Sequence, residues 1–319
     1  MDSTFDFKDA VLGDGNCIDI AFGKCTLRSA IIEANMTPEH DTIILPGGIY
    51  TLTNAGAEEN AAISGDLDIT NPLTIVGSNG NKDGDPTATV IDGGIFTKVF
   101  TINPAWDHKF DTVIQAITIR NANNTSTVAD YMNGGAIEWD GGGTSGNPVG
   151  GTLEIYNSVI SNNSANGSGG GLFLYNNGAT EASVTITKSV ISNNSSLMDG
   201  GGIYVGSGVK ITIADSTLDA NVATGKGGGL RFASGATALG SSINNSTVSN
   251  NTAERGGGIY VNTPISIMNS TISGNKATLF NQNGIYASLS GGGLLTVKNS
   301  TIANNKKDSL QDEGLYIDN

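Results

Sequence analysis

The sequence predicts an all-β chain, a right-handed parallel β-helix with a short N-terminal capping helix. Three observations carry that prediction. A Gly-rich box ending in an apolar residue recurs from the middle of the 319-residue chain to its end, at 134–137, 169–172, 200–203, 227–230, 256–259, 284–285 and 314–315. A second element, Ser-x-apolar-x-x-Asn, recurs at 158–163, 189–194, 216–221, 246–251, 270–275 and 300–305, with a degenerate copy at 116–121. Between them apolar residues alternate, as in Val184 and Ile186, Ile211 and Ile213, Ile265 and Ile267, and Leu295 and Val297. That is the period of a strand. The spacing of units varies and leaves no room for a helix beside two or three strands, nor does Leu recur as leucine-rich repeats require. Each unit is therefore read as one coil, stacked about 4.8 Å above the last.

Taken in order, residues 1–65 are expected to form an N-terminal cap and 66–319 a β-helix of about eight or nine coils. In the cap, Leu27, Ala30, Ile31 and Ala34 fall at helical spacing, with Thr26 able to N-cap and Asn35 able to end the helix. Such an amphipathic helix would cover the open edge of the first coil. Alternating runs at 67–69, 73–76, 89–91, 99–102 and 113–119 read as the first, irregular coils. In the regular coils a side-chain amide, carrying donors and an acceptor, can bond its copies above and below. Asn121, Asn163, Asn194, Asn221, Asn251, Asn275 and Asn305 are the expected internal ladder. The Ser column is expected to be small and inward, and the glycines to allow positive φ and close backbone approach. The chain stops at 314–319 inside a new coil. Solenoids need a terminal cap, so truncation of a longer protein is expected, with end-to-end self-association as the alternative.

Composition narrows the partners. One residue in four is Gly or Asn (45 and 35), and only 14% are charged, against roughly 25% in ordinary domains. A net charge of −14 excludes the electrostatic grip on phosphates that nucleic-acid binding needs and argues against an anionic membrane surface. No apolar run approaches the roughly 18 residues of a membrane span. Met1-Asp2-Ser3-Thr4 offers neither a basic nor an apolar leader region, so any export signal is expected to have been removed upstream.

Cys25-Thr26-Leu27-Arg28-Ser29-Ala30-Ile31-Ile32-Glu33-Ala34-Asn35 resembles the CSLREA N-terminal motif of bacterial exported β-helix proteins. The resemblance extends through Gly13-Asp14-Gly15-Asn16-Cys17, Asp41-Thr42-Ile43-Ile44-Leu45-Pro46, Gly48-Ile49-Tyr50-Thr51-Leu52 and Gly65-Asp66-Leu67-Asp68-Ile69. The coils are similar to that family's GGGIY…NSTISGN repeats, and to the GGAI repeats of chlamydial polymorphic membrane proteins, though without their FxxN partner motif. The resemblance implies a pectate-lyase-like fold and an extracellular or cell-surface location, but no activity, because a fold does not carry one with it. In an oxidising compartment Cys17 and Cys25 would close a small disulfide loop, and two thiols with no nearby His are too few for zinc.

Parallel β-helices can be enzymes, which makes the placement of acids and bases informative. Asp215 and Asp219 share a coil but stand up to roughly 13 Å apart along a strand, beyond the about 5–9.5 Å of a glycosidase pair. Asp215 reads as a surface charge beside Lys188. His40 and His108 fall on loops outside the repeat. No cofactor is required, although calcium has one candidate: Asn79, Asn81, Asp83 and Asp85 alternate around two glycines like the start of an EF-type loop, but with Val90 where the twelfth ligand should be. A polar turn explains the same residues, and Asp14 and Asp19 are a weaker cation pair. The residue after the apolar position of the box reads Glu138, Phe173, Tyr204, Arg231, Tyr260, Tyr286 and Tyr316. Alternation places this column outward, as a stripe able to stack on sugar rings or another protein, or on itself; Trp106 and Trp139 could add to it. The resulting expectation is a secreted or surface rod that binds a polysaccharide or a surface protein without catalysis. The alternatives are a calcium-assisted polysaccharide lyase and a structural spacer of a longer surface protein.

Overall fold

The computed structural model describes residues 1, 3–56, 60–94, 98–105, 109–129, 132–142, 150–176, 182–233, 240–279, 282–289, 294–307, 311–312 and 314–318. Trp106 and His108 lie outside them. Among the described residues, three nine-stranded sheets run the length of a solenoid, and a narrow six-stranded sheet joins them from Asn123–Asn124 to Lys276–Ala277. Sheet I contains Ala182–Thr187 and its copies, sheet II Val190–Ser192, sheet III the two-residue Ser195–Ser196, and sheet IV the Gly-box strands such as Ile203–Val205. One coil visits the four sheets in that order. All pairings within them are parallel and join each strand to its copy one coil away, as in Val184↔Ile211 and Ile203↔Leu230. Stacking begins ahead of residue 66, because Asp41–Ile44 pairs with Leu73–Val76 and Gly48–Thr51 with Thr89–Asp92. These two strands lack a box, which is why the sequence shows them poorly.

The core is a column of alternate strand residues: Val184, Ile186, Ile211, Ile213, Ile265 and Ile267 are each buried to at least 97%. A helix, α1 (Leu27–Ala34), starts at Thr26, whose side chain accepts from the Ser29 N–H while Ser29 bonds back to Thr26. Leu27, Ile31 and Ile32 join the same core. The disulfide Cys17–Cys25 closes just before α1.

Two corners are held by side-chain ladders. Asn194 shows the pattern: Nδ2 donates to Ile160 O at 2.9 Å and to Asn221 Oδ1 at 3.0 Å, while Oδ1 accepts from Asn163 N at 3.0 Å and Asn163 Nδ2 at 2.9 Å. Both amide protons and both acceptor positions are used. The same bonds repeat through Asn221, Asn251, Asn275 and Asn305, all fully buried. At the other corner Ser158, Ser189, Ser216, Ser246 and Ser270 each take a bond at 3.1 Å to the next Ser hydroxyl from their own N–H.

Each ladder residue follows a residue of left-handed backbone. Asn157, Lys188, Asp215, Asn245, Asn269 and Asn299 precede the Ser column, and Asn162, Asn193, Ala220, Asn250, Gly274 and Asn304 the Asn column, all with φ of 45–69°. Asn and Gly tolerate that region best, so the Asn-rich composition serves two adjacent columns. This corrects the first rung. Asn121 is exposed with φ 57° and donates to Asp92 Oδ2 at 2.8 Å, while Ala122 fills the inward site and its N–H bonds Asn163 Oδ1 at 3.0 Å. The degenerate copy is shifted by one residue, because Asn fits either column. In the boxes the first glycine takes positive φ (Gly169, 73°), and a Cβ on the second would meet the next coil's backbone, as at Gly170, 2.4 Å from Gly201 O.

Candidate binding face

Sheet IV aligns the predicted column in one register: Thr101, Glu138, Phe173, Tyr204, Arg231, Tyr260, Tyr286 and Tyr316 are successive partners. The rings stack on one another. Phe173 and Tyr204 lie 5.0 Å apart at 10°, Tyr260 and Tyr286 4.5 Å apart, and Tyr286 and Tyr316 5.3 Å apart at 8°. Arg231 interrupts the column, with its guanidinium 4.5 Å from the Tyr260 ring, and Lys226 Nζ stands 5.3 Å from the same ring.

Stacking this close removes most of the expected exposed stripe. Tyr260 is 5% exposed, Tyr286 4% and Arg231 5%, while Phe173 and Tyr204 are half-buried and Tyr316 is open. Burial, then its bond to Asp318 at 2.8 Å, pushes the Tyr286 hydroxyl up to about 12. The column is thus closed from Arg231 to Tyr286, and its accessible aromatic surface lies at the two ends, Phe173 and Tyr204 on one side and Tyr316 on the other.

At the Phe173 end the face opens into a cleft of about 160 Å³ lined by Thr101, Asn103, Glu138, Asp140, Phe173 and Tyr175, with Asn133 and Ala129 on one wall. It is smaller than the about 300–1,000 Å³ of pockets that engulf a ligand. Its floor comes from three adjacent strands, Phe100–Ile102, Ile137–Asp140 and Leu172–Tyr175. Alternation puts Glu138 and Asp140 on one face about 6.6 Å apart along the strand, with Trp139 turned inward and 2% exposed. Phe173 and Tyr175 stand beside them, ring centroids 6.4 Å apart and inclined by 26°.

Two acids on one face are the raw material of a glycosidase pair, but both groups are occupied. Lys98, 1% exposed, donates to Glu138 Oε2 at 2.5 Å, and the Gly142 N–H donates to Asp140 Oδ1 at 2.8 Å. They are oriented acceptors beside aromatic faces. Asn103, Asp140 and Tyr175 were missed by the sequence reading, although Glu-x-Asp and Phe-x-Tyr stand at the same offset from successive boxes and carry the signal.

The other sequence candidates fall elsewhere. Asn79 has left-handed backbone, and Asn81 Oδ1 accepts from the Asp83 N–H at 3.2 Å. Asp85 caps Thr87, taking its N–H at 2.8 Å and its hydroxyl at 2.6 Å. Asp83 takes the Tyr156 hydroxyl at 2.5 Å and Lys82 Nζ at 3.1 Å; the tyrosine bond, then the lysine, holds its carboxyl below the usual range. Asn157 Nδ2 bonds the carbonyls of Lys82 and Gly84. The segment is a polar turn strapped to later coils through Asp83 and Asn157. Lys188 joins it, at 2.8 Å from Tyr156 Oη, instead of pairing with Asp215, which accepts from Asn245 Nδ2 at 3.3 Å. Asp219 accepts from Ser249 and Asn250. His40 bonds Thr74 at the edge of sheet I.

No curated protein and no solved structure matches the chain. The right-handed β-helix region family matches residues 111–319, the stretch in which the Asn and Ser ladders run. With parallel sheets that wind coil upon coil and a family match over most of its length, the chain belongs to the right-handed β-helix family.

Proposed function

We propose that the chain is a secreted or cell-surface rod that binds a polysaccharide non-catalytically across the cleft of sheet IV. The observation that carries this reading is the pairing of Phe173 and Tyr175 with Thr101, Asn103, Glu138 and Asp140 in one open cleft. Aromatic faces stack on the apolar face of a sugar ring, and fixed acceptors beside them take its hydroxyls. A cleft this shallow seats part of a polymer and leaves the remainder running along the rod. A net charge of −14 favours a neutral glycan over a polyuronate.

Native electrophoresis through gels containing xylan, pectin, alginate or a bacterial exopolysaccharide, followed by staining for the polymer, tests this. Retardation with the polymer intact is expected, reduced in Phe173→Ala and Tyr175→Ala and unchanged in Tyr286→Ala. Retardation that survives both cleft variants would remove the cleft from the account. A cleared track would replace the reading with the lyase.

One observation favours that second reading. Tyr156 Oη contacts Lys188 Nζ at 2.8 Å and Asp83 at 2.5 Å, with Lys82 Nζ 4.7 Å from its ring, all on the surface. A tyrosine between two lysines has the composition of a β-elimination base with cations for a uronate.

A further inference from the structure

Three carboxylates from separate parts of the N-terminal cap meet beside the disulfide. One oxygen each from Asp9, Asp14 and Glu33 lies within 4.8 Å of the others. Oxygen ligands at about 2.3–2.6 Å from a calcium ion stand at most about 5 Å apart, so this spacing admits a shared ion without moving the backbone. None of the three forms an ion pair among the described residues. Glu33 Oε1 and Oε2 accept from the N–H groups of Gly13 and Gly15 at 2.7 and 2.8 Å, Asp14 Oδ1 from Asn16 at 2.8 Å, and Asp9 Oδ2 from Val11 at 3.1 Å.

The independent sign of a ligand is the other oxygen of Asp9. This residue is 4% exposed, and Oδ1 is buried with no hydrogen-bond donor. A buried carboxylate oxygen without a donor is costly unless a charge compensates it. The surroundings add to the cost. Glu33 stands in the last turn of α1, the negative end of the helix dipole, and that turn holds no basic residue.

We propose that Asp9, Asp14 and Glu33 bind a calcium ion that ties the loop of residues 9–16 to the end of α1. The donors offered are all hard carboxylate oxygens, and both cysteines are locked in the disulfide, which excludes a thiolate site. Asp19, the neighbour singled out from the sequence, is not part of it: its oxygens are taken by the N–H groups of Ala21, Phe22 and Lys24. The site is separate from the glycan cleft and stands or falls without it.

The test is calorimetric titration of calcium chloride into chelator-treated protein, with thermal unfolding followed in parallel. One calcium per chain is expected, with a rise in Tm of roughly 5 °C when calcium is 100 times its dissociation constant. Asp14→Asn changes an exposed residue and leaves the fold intact, so it should weaken calcium binding at least tenfold. Asp9→Asn should abolish binding and also raise the calcium-free Tm, because it removes a buried charge that no cation compensates. Asp83→Asn should change neither. The proposal is overturned if wild-type protein takes up no calcium at millimolar concentration, if both cap variants bind as wild type does, or if Asp83→Asn removes the binding.

Discussion

In the coils from Ser158 to Asn305 the buried Asn and Ser side chains are satisfied by copies of themselves one coil away. In the cap, a single guanidinium does this work for unlike partners. Arg28, 1% exposed, makes five bonds: Nε and Nη2 to Asp6 at 2.6 and 3.2 Å, Nη1 to the carbonyls of Ala62 and Asp66, and Nη2 to that of Gly65. Asp6 in turn accepts from the N–H groups of Thr53 and Asn54. A coil has an identical neighbour on either side and can use translation. The first coil has none above it, so its open backbone must be met by a unique network. Repetition spreads polar satisfaction over many weak, equal contacts, whereas the end of the solenoid concentrates it in one residue.

The sharpest way to break this contrast is at Arg28. Arg28→Met leaves the buried Asp6 without its cation and strips donors from three carbonyls. Removing one partner of such a pair costs about 3–5 kcal/mol. Urea unfolding should show that loss, and Arg28→Lys should recover only part of it because an ammonium lacks the fork. A cost below that of a ladder substitution would mean the cap is not where polar satisfaction is concentrated.

The ladder supplies the middle-sized effect. Asn221→Ala takes away the side-chain acceptor of the Asn194 N–H and the side-chain donor to Ile191 O. It leaves Asn194 Nδ2 and Asn251 Oδ1 with one bond each, to Ile160 O and from the residue 221 N–H. Relaxation of neighbouring coils keeps the cost to about 2–4 kcal/mol. Asn121→Gly keeps the left-handed backbone and removes one exposed bond, so it should stay within about 0.5 kcal/mol. Equal shifts in the urea midpoint for the two variants would show that the buried column contributes nothing beyond its turn.

The same contrast explains what the sequence could reveal. The β-helix was legible because one solution to burial is written six times, with Asn five residues after Ser in every copy. Helix α1 was legible from Thr26 and the spacing of Leu27, Ile31 and Ala34. The exposed stripe was misjudged, since alternation tells which way Tyr260 and Tyr286 point but not that rings 4.5 Å apart hide one another. Asn121 was misplaced because two adjacent columns both favour Asn. Features made once were hidden: nothing local links Arg28 to Asp6, Asp9 to Glu33, or Asn103 to Asp140, because each pair meets only when the cap closes or a coil comes round. The cleft shares that character, for it lies where sheet IV leaves the irregular coils and enters the regular ones.

The smallest expected effect tests whether the cap's charges truly lack interchangeable partners. Asp66 is 1% exposed; its carboxylate accepts from the Thr101 hydroxyl, and its carbonyl accepts from Arg28. Burial raises its carboxyl above the usual range, although Lys98, the Thr101 bond and Arg28 each pull it back. A folded-state value above the unfolded one means that the native protein holds the proton more tightly. The stability this group contributes is therefore full below about pH 3.9 and is lost as pH rises through the folded value. Asp66→Asn keeps the shape and removes the titration, so its advantage over wild type should grow as pH rises from 4 toward 7, by less than either substitution above costs. Urea midpoints for the two proteins across that range measure it. If wild type instead gains on Asp66→Asn with rising pH, Lys98 and Arg28 outweigh burial, and the cap would balance its charges by attraction as fully as the coils balance their amides.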